Sequence, residues 1–356
     1  AYLYNDFDIE GNVEAAFDLG EELLQRRPRS FGLLRLAWAL RRLPPSPASP
    51  RGGRGPATLS GRRHSTARDR QAIAYHYDVS NDFYRLFLDE RMVYSCAYFA
   101  DPAEDLDSAQ ERKLDYICRK LRLKPGQRLL DIGCGWGGLA IFAAQRYGVD
   151  VTGITLSEPQ AALANERIAE AGLQGRCRVL LQDYREVEGT FDALVSVGMF
   201  EHVGEALLPA YFARALALLK PEGVFLNHGI ARDALARREG RRSFSNAYVF
   251  PDGELTPISA TLRIAEARGF EVRDVESLRE HYALTLRHWV RRLEANHVQA
   301  LRYVEEPTYR VWRLYMSGSA HGFARGRLNI YQALLVKRGA RGESGLPLQR
   351  ADWYAA

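Results

Sequence analysis

The chain has 356 residues, 46% hydrophobic and 26% charged, the proportions of a soluble globular protein with enough apolar content for one large or two modest domains. No run of about 18 uninterrupted apolar residues occurs, which excludes a spanning helix. A net charge of +5 and an isoelectric point near 9.0 invite an anionic partner, nucleic acid or an acidic lipid surface.

No secretory signal is read at the start. The chain opens at Ala1 inside what reads as a structured segment, so upstream residues are expected. Residues 1–43 read as a small separate unit, with helical periodicity over Glu14 to Gln25 and Phe31 to Leu43. Residues 44–66 form a Pro/Gly/Arg-rich linker, expected to be mobile because prolines and glycines sustain no helix and little there can be buried. Order resumes with two short helices, Gln71 to Tyr77 and Asn81 to Leu88, the second capped by Ser80 or Asn81. An amphipathic helix over Ser108 to Leu121 leads into the apolar run Leu129-Leu130-Asp131-Ile132 and the turn Gly133-Cys134-Gly135-Trp136-Gly137. Strands are expected at Val151 to Leu156, Arg176 to Leu181, Phe191 to Val197, Val224 to Ile230 (after a Lys220-Pro221-Glu222-Gly223 turn), Phe270 to Ser277 and Asn329 to Lys337, with a helix over Glu158 to Ala171. This alternation predicts an α/β fold with a parallel, doubly wound, seven-stranded Rossmann-like sheet and a ligand at the carboxyl ends of its strands. Residues 341–356 read as a tail. The four cysteines, Cys96, Cys118, Cys134 and Cys177, include no Cys-x-x-Cys pair, which argues against a zinc site or disulfide framework and suits a reducing cytosol.

A strand, a glycine turn and a helix N-terminus make a nucleotide-binding βα unit. The spacing Gly-x-Gly-x-Gly after an acid resembles motif I of S-adenosylmethionine-dependent methyltransferases rather than the dinucleotide pattern. The generic pattern also wants an acid about 20 residues after the glycines for the ribose hydroxyls. Here Glu158 stands one step late beside Pro159, where it also suits a helix N-terminus, and Thr155 and Gln160 are credible replacements.

Several further segments stand in one order: Tyr75-His76-Tyr77-Asp78-Val79-Ser80-Asn81-Asp82-Phe83-Tyr84, Tyr94-Ser95-Cys96-Ala97-Tyr98-Phe99, Gly153-Ile154-Thr155-Leu156-Ser157, Phe200-Glu201-His202-Val203-Gly204, Tyr248-Val249-Phe250-Pro251-Asp252-Gly253 and His281-Tyr282-Ala283-Leu284-Thr285. With the glycine turn they resemble the cyclopropane-fatty-acid synthase family over roughly residues 70–340. The N-terminal unit is similar to that of the phospholipid-acting members; the mycolic acid enzymes lack it. The resemblance implies a class I S-adenosylmethionine-dependent methyltransferase domain over 67–340, with a lipid-binding insertion about 232–300. It implies methyl transfer to the cis double bond of an unsaturated phospholipid acyl chain at a membrane surface, leaving a carbocation whose deprotonation closes a cyclopropane ring. A bound bicarbonate ion is the implied base, with Cys96, Glu201, His228, Ile230 (through its N–H) and Tyr282 as its ligands. Tyr94, Ser95, Gly133, Gly135 and Gly137 are implied at the methionine and ribose end of the cofactor, Thr155, Leu156 and Gln160 near ribose and adenine, and Asp183 and Tyr184 at the adenine.

Seen alone, each of these residues has a plainer reading. Cys96 suits a small buried hydrophobe, and it lacks the partner a thiolate nucleophile needs. Glu201 and His202 suggest a metal pair but lack a third ligand, so no metal is expected and His202 reads as structural. Tyr77, Phe200, Tyr248 and Tyr282 could be core aromatics; only Tyr282 is assigned to a cation-stabilising wall. The arginines at 51, 54, 62, 63, 68 and 70, and at 232, 237, 238, 241 and 242, read either as a solvated face or as a lipid-facing one, with Arg232 to Phe244 the candidate membrane lid. Nucleic acid is not expected, since no aromatic–basic reading motif accompanies them. The expected location is cytoplasmic, peripheral to the inner face of the membrane, and a homodimer is compatible with the resemblance. A methylene or methyl-branched fatty-acid synthase, giving an exocyclic alkene instead of a ring, would use the same residues; a small-molecule N-methyltransferase and a silent binding module are the more distant alternatives.

Overall fold

The architecture is that of a computed structural model, which describes residues 1–25, 32, 35, 38, 39, 41, 42, 55–236 and 243–354. The expected helix over Phe31 to Leu43, the linker up to residue 54 and the arginines at 51, 54, 237, 238, 241 and 242 lie largely or wholly outside the described residues.

The apolar runs become strands because they are bounded by turn residues. β1 (Arg128–Ile132), β2 (Asp150–Thr155), β3 (Cys177–Leu181), β4 (Phe191–Val197), β5 (Leu219–Arg232), β6 (Phe270–Ser277) and β7 (Leu328–Lys337) form one sheet in the order β3-β2-β1-β4-β5-β7-β6. The central ones, β1, β2 and β4, are buried along nearly their whole length, while the edge strands β3 and β6 are partly exposed. Strands β1 to β5 are mutually parallel, as expected, but β7 runs antiparallel to both β5 and β6, so the sheet is mixed. The cause is the connection. Helices Arg279–Ala295 and Glu306–Ala324 pack on each other and return the chain to the end of the sheet where it left, so that Ser277 pairs with Tyr331. The expected Lys220-to-Gly223 turn survives as a bulge inside β5: Leu219 pairs with Phe191 and Val224 with Ala193, with Glu222 at φ +61°.

Helices cover both faces. Leu106–Lys120, Gly138–Tyr147 and Glu158–Glu170 pack one side around Leu129, Phe142 and Val151; Leu208–Leu218 and Ile258–Ala267 pack the other around Leu194, Phe212 and Phe225. The stretch 232–300 is therefore not a single insertion, since Ile258–Ala267 and β6 within it belong to the sheet and its cover. A third, aromatic core of Phe83, Tyr84, Phe87, Trp136, Trp289 and Trp312 sits above the carboxyl ends of the strands. Helices Thr66–Tyr77, Asn81–Arg85, Leu106–Lys120 and Glu158–Glu170 begin where the side chains of Ser65, Ser80, Asp105 and Ser157 accept from the backbone N–H three residues on.

The described N-terminal residues, 1–25, dock on the helices above the sheet. Helix Val13–Gln25 and the turn before it pack on Glu306–Ala324. The buried Arg310 guanidinium donates to Tyr2 O and Phe7 O (both 3.2 Å), Asn5 Oδ1 (2.6 Å) and Asp8 Oδ2 (3.1 Å), and Arg313 to Tyr2 Oη (3.0 Å) and Ile9 O (3.0 Å). Residues 55–66, read as the end of a mobile linker, are also tied down: Ala57 N donates to Ala247 O at 2.7 Å, and Gly55 O accepts from Tyr75 Oη at 2.7 Å. Replacing Arg310 with methionine should remove its bonds to Phe7 O and Asn5 Oδ1 and its ion pair with Asp8, at a cost of roughly 1–3 kcal/mol, while Tyr2 O keeps the Asn5 N–H. Faster limited proteolysis of the first 25 residues is the expected result; an unchanged rate and melting temperature would show that the docking does not depend on this residue.

Candidate active site

Two cavities meet above the carboxyl ends of the strands, where a doubly wound sheet opens its crevice. The first is cut by the ends of β1 to β4. Gly133 follows β1 with φ +81°, and a Cβ there would stand 2.7 Å from Met199 Cβ and Cγ, so only glycine leaves the floor open. Tyr94, Ser95, Gly133, Gly135, Thr155, Leu156, Gln160, Asp183 and Tyr184 all line this cleft. Gly137 does not. It takes φ +78° at the N-cap of Gly138–Tyr147 and faces Ala164, so its glycine is needed for the turn and for helix packing.

Thr155 Oγ1 donates to Gln160 Oε1 at 2.8 Å, while Glu158 lies exposed at the helix start; the two neutral side chains, not the acid, face the cleft. Asp183 is buried and held by Arg185, whose Nε and Nη2 reach its two oxygens at 2.7 and 2.6 Å; Nη2 also reaches Asp69 at 2.9 Å, joining the end of β3 to helix Thr66–Tyr77. Lys113, which the sequence reading did not single out, and Asp131, read only as the acid before the glycine turn, also line the cleft. The buried Lys113 ammonium donates to Ser95 Oγ at 2.8 Å, and burial lowers its pKa to about 8. Burial likewise pushes the Asp131 carboxyl up to about 7 against the attraction of Lys113. The signal for Lys113 was its place, with Gln110, on the apolar stripe of Leu106, Ala109, Leu114 and Ile117, where a charge is out of pattern.

The second cavity, about 530 Å³, is walled chiefly by apolar and aromatic side chains, among them Phe244, Phe250, Tyr282, Tyr315, Phe323 and Ile330. Tyr77, Tyr94, Ser95, Gly198 and His202 line both cavities and form the wall through which they communicate. His202, read as structural, therefore stands at the junction, and burial lowers its pKa to about 4, leaving it neutral. Tyr77 stands there too; Phe200 is core, packed where a Cβ on Gly229 would collide with its ring, and Tyr248 lines neither cavity.

Glu201, His228, Ile230 and Tyr282 all line the apolar cavity. β4 ends at Val197, paired with His228, so the next outward N–H of β5, that of Ile230, lacks a strand partner and donates to Glu201 Oε1 at 2.7 Å. That N–H is thus taken up in holding the carboxyl. Glu201 Oε2 is buried without a hydrogen-bond partner, and burial raises the pKa of the group to about 7. The His228 ring is set by Gln332 across the β5–β7 pair, the amide Nε2 lying 3.3 Å from Nδ1. With the amide donating, the proton sits on Nε2, which is buried and unpartnered. Burial holds this imidazole neutral, well below its usual pKa. Cys96 is not brought to either cavity: its thiol is buried against Ala97 O (3.3 Å) and Leu278 O (3.7 Å), and burial drives its pKa well up. What it positions is the segment Tyr94 to Phe99, which is bonded through Ala97 N to Thr285 Oγ1 and through Phe99 N to His281 Nδ1 (both 3.0 Å) on the helix that carries Tyr282.

Among the described residues, no three His, Cys, Asp or Glu side chains are grouped to hold a metal ion, and no helix is long and apolar enough to cross a membrane.

The sequence model of the family described as mycolic acid cyclopropane synthetase matches residues 64–333. A probable fatty acid methyltransferase of Pseudomonas putida is 49% identical over 299 residues, covering 82% of this chain and 76% of its own. The cyclopropane-fatty-acyl-phospholipid synthase of Escherichia coli (strain K12) is 40% identical over 275 residues, covering 77% of this chain and 69% of its own. The crystal structure of mycolic acid cyclopropane synthase CmaA1 complexed with SAH and CTAB superposes with a TM-score of 0.71 at 37% identity, covering 75% of this chain and 97% of that one.

Proposed function

The chain belongs to the mycolic acid cyclopropane synthetase family of S-adenosylmethionine-dependent methyltransferases, and from that membership we propose that its acceptor is the cis double bond of an unsaturated phospholipid acyl chain, the product a cyclopropane. The observation that carries this reading is the pairing of cavities. A cofactor cleft shares a wall with an apolar chamber that holds, amid aromatic rings, two buried polar atoms without partners, Glu201 Oε2 and His228 Nε2.

An alkene is a weak nucleophile, so the chamber must align it with the methyl and exclude water. The π electrons form the new C–C bond as the C–S bond breaks, and positive charge appears on the chain. The rings of Tyr77, Tyr94 and Tyr282 can stabilise it through their π faces. Burial pushes all three phenols above their ordinary pKa, so they stay neutral and poorly nucleophilic toward the cation. The buried Cys96 thiol is kept protonated in the same way.

A base must then take a proton from the new methyl. The unpartnered Glu201 carboxyl and His228 N–H fit a small oxyacid such as bicarbonate: the imidazole donates, and Glu201, protonated near neutrality, shares its proton. Bound there, bicarbonate supplies the base. Ile230 serves through Glu201, fixing which carboxyl oxygen faces the chamber.

The relative named as a fatty acid methyltransferase favours a second reading in the same site, with an exocyclic alkene as product: a hydride shifts from the methylated carbon to the cationic one, and the new methyl then loses its proton. In either case the substrate lies in a bilayer. Phe244 lines the chamber and Leu235, nine residues earlier, is 95% exposed, which supports a lipid-facing role for these two apolar side chains. Vesicles of cis-monounsaturated phospholipid should support release of S-adenosylhomocysteine, carbonate-free buffer should slow it, and added bicarbonate should restore it. Equal rates on saturated vesicles, or release that depends on an amine, would contradict the proposal.

A further inference from the structure

Residue 17 lies outside the span 64–333 that carries the family match, yet Phe17 lines the apolar chamber. Its ring rests on the backbone of Gly318, where a Cβ would come within 2.9 Å of Phe17 Cζ, and stacks on the buried His321 imidazole at 5.7 Å and 24°. Gly318 is about one helical turn from Tyr315, which lines the chamber with Tyr77 and Tyr282.

The placement is built rather than incidental. Glu14, Asp18 and Glu21 recur at the spacing that puts them beside Phe17 on one stripe of helix Val13–Gln25. Glu14 takes both Arg287 Nε and Nη2, at 2.8 and 2.7 Å. Asp18 pairs with Arg325, and Glu21 with His321 and, at 2.5 Å, with Arg327. A clasp of three acids on four basic side chains thus seats one aromatic ring in the wall of a chamber otherwise built by the methyltransferase domain.

Resting on the acyl-chain reading above, we propose that Phe17 is a specificity-determining residue. It closes one end of the chamber and so limits how far the chain extends beyond the double bond, which sets the bond positions that reach the cofactor wall.

The test compares the full chain with its Phe17→Ala and Phe17→Trp variants and with the Asp18→Asn/Glu21→Gln double variant. Phe17 is only partly buried on a surface helix, so the fold should persist, and unchanged S-adenosylhomocysteine affinity would verify it. Two readouts are used: affinity for the fluorescent probe cis-parinaric acid, and relative turnover on vesicles of phospholipids that differ only in double-bond position. Phe17→Ala should shift the preference between bond positions by roughly 10-fold, the scale for adding or removing apolar volume in a pocket. Phe17→Trp should shift it the opposite way, and the double variant should follow Phe17→Ala. Parinarate affinity should move in opposite directions for the two Phe17 variants. If both retain the wild-type preference and probe affinity, Phe17 does not bound the chamber. If the wild type turns over no unsaturated lipid, the acyl-chain reading fails, while the parinarate series still decides whether Phe17 lines an apolar site.

Discussion

Replacing Glu201 with glutamine is expected to lower turnover about 1,000-fold, the scale for removing one preorganised group at a charge-developing centre, and at the same time to stabilise the folded protein above neutral pH. Both follow from one fact: a carboxyl is buried with one oxygen on the Ile230 N–H and the other without a partner. Burial raises its folded-state pKa from 4.5 to about 7. The native state therefore holds this proton over a range where the unfolded chain has released it. Stability from the group is fully present below about pH 4.5 and is lost as pH rises through about 7; beyond that, the buried carboxylate costs on the order of 3 kcal/mol. Glutamine still accepts from Ile230 and carries no charge. Its melting temperature should match that of the wild type at about pH 5 and exceed it by several degrees at about pH 8. Thermal melts at the two pH values, with S-adenosylhomocysteine release as the activity readout, check both halves. A variant that stays active, or that is less stable at the higher pH, would remove Glu201 from the role assigned to it.

Substituting alanine for Gly133 should weaken S-adenosylhomocysteine binding about 100-fold by calorimetry. A factor of ten corresponds to about 1.4 kcal/mol, and two penalties contribute here. A non-glycine residue at φ +81° is strained by roughly 1–2 kcal/mol, and relieving that strain in the free protein moves the turn off the geometry that the cofactor needs. The added Cβ also meets Met199 at 2.7 Å, and the flexible methionine can yield only by moving within the cleft that it lines. Gly135→Ala is the control. Its φ of +55° is milder and no atom lies within 4 Å of the added carbon, so its loss should be clearly smaller. Equal affinities for Gly133→Ala and the wild type would mean that the cofactor does not use this floor.

These residues also show what a linear sequence can and cannot reveal. The glycine turn, the strand ends and the cap at Ser80 are local, so spacing located the strands and the turn, while the resemblance supplied the other residues that line the cleft. The direction of β7 was hidden because it depends on how two helices return the chain to the sheet. The docking of residues 1–25 was hidden because it depends on Arg310 and Arg313 meeting carbonyls and acids some 300 residues away in sequence. Gln332 escaped for the same reason: only the β5–β7 register sets it opposite His228. Gly137 and Cys96 mark the converse limit. A motif names neighbours of a cavity as readily as members of it, and at both positions the packing of the turn or segment accounts for where the residue sits.

The proposed chemistry turns on one event, the passage of a methyl from the glycine-floored cleft onto a carbon–carbon double bond, across the wall of Tyr77, Tyr94, Ser95, Gly198 and His202 that the two cavities share. Incubating cis-monounsaturated phospholipid vesicles with the trideuteromethyl donor, followed by mass spectrometry of the released acyl chains, reads that event directly. The prediction is one added carbon on the acyl chain bearing two of the three deuterons, with no uptake of hydrogen on mild reduction if the product is the ring and uptake if it is the exocyclic alkene. Three retained deuterons, or label on the head group alone, would contradict the deprotonation assigned to the Glu201–His228 chamber.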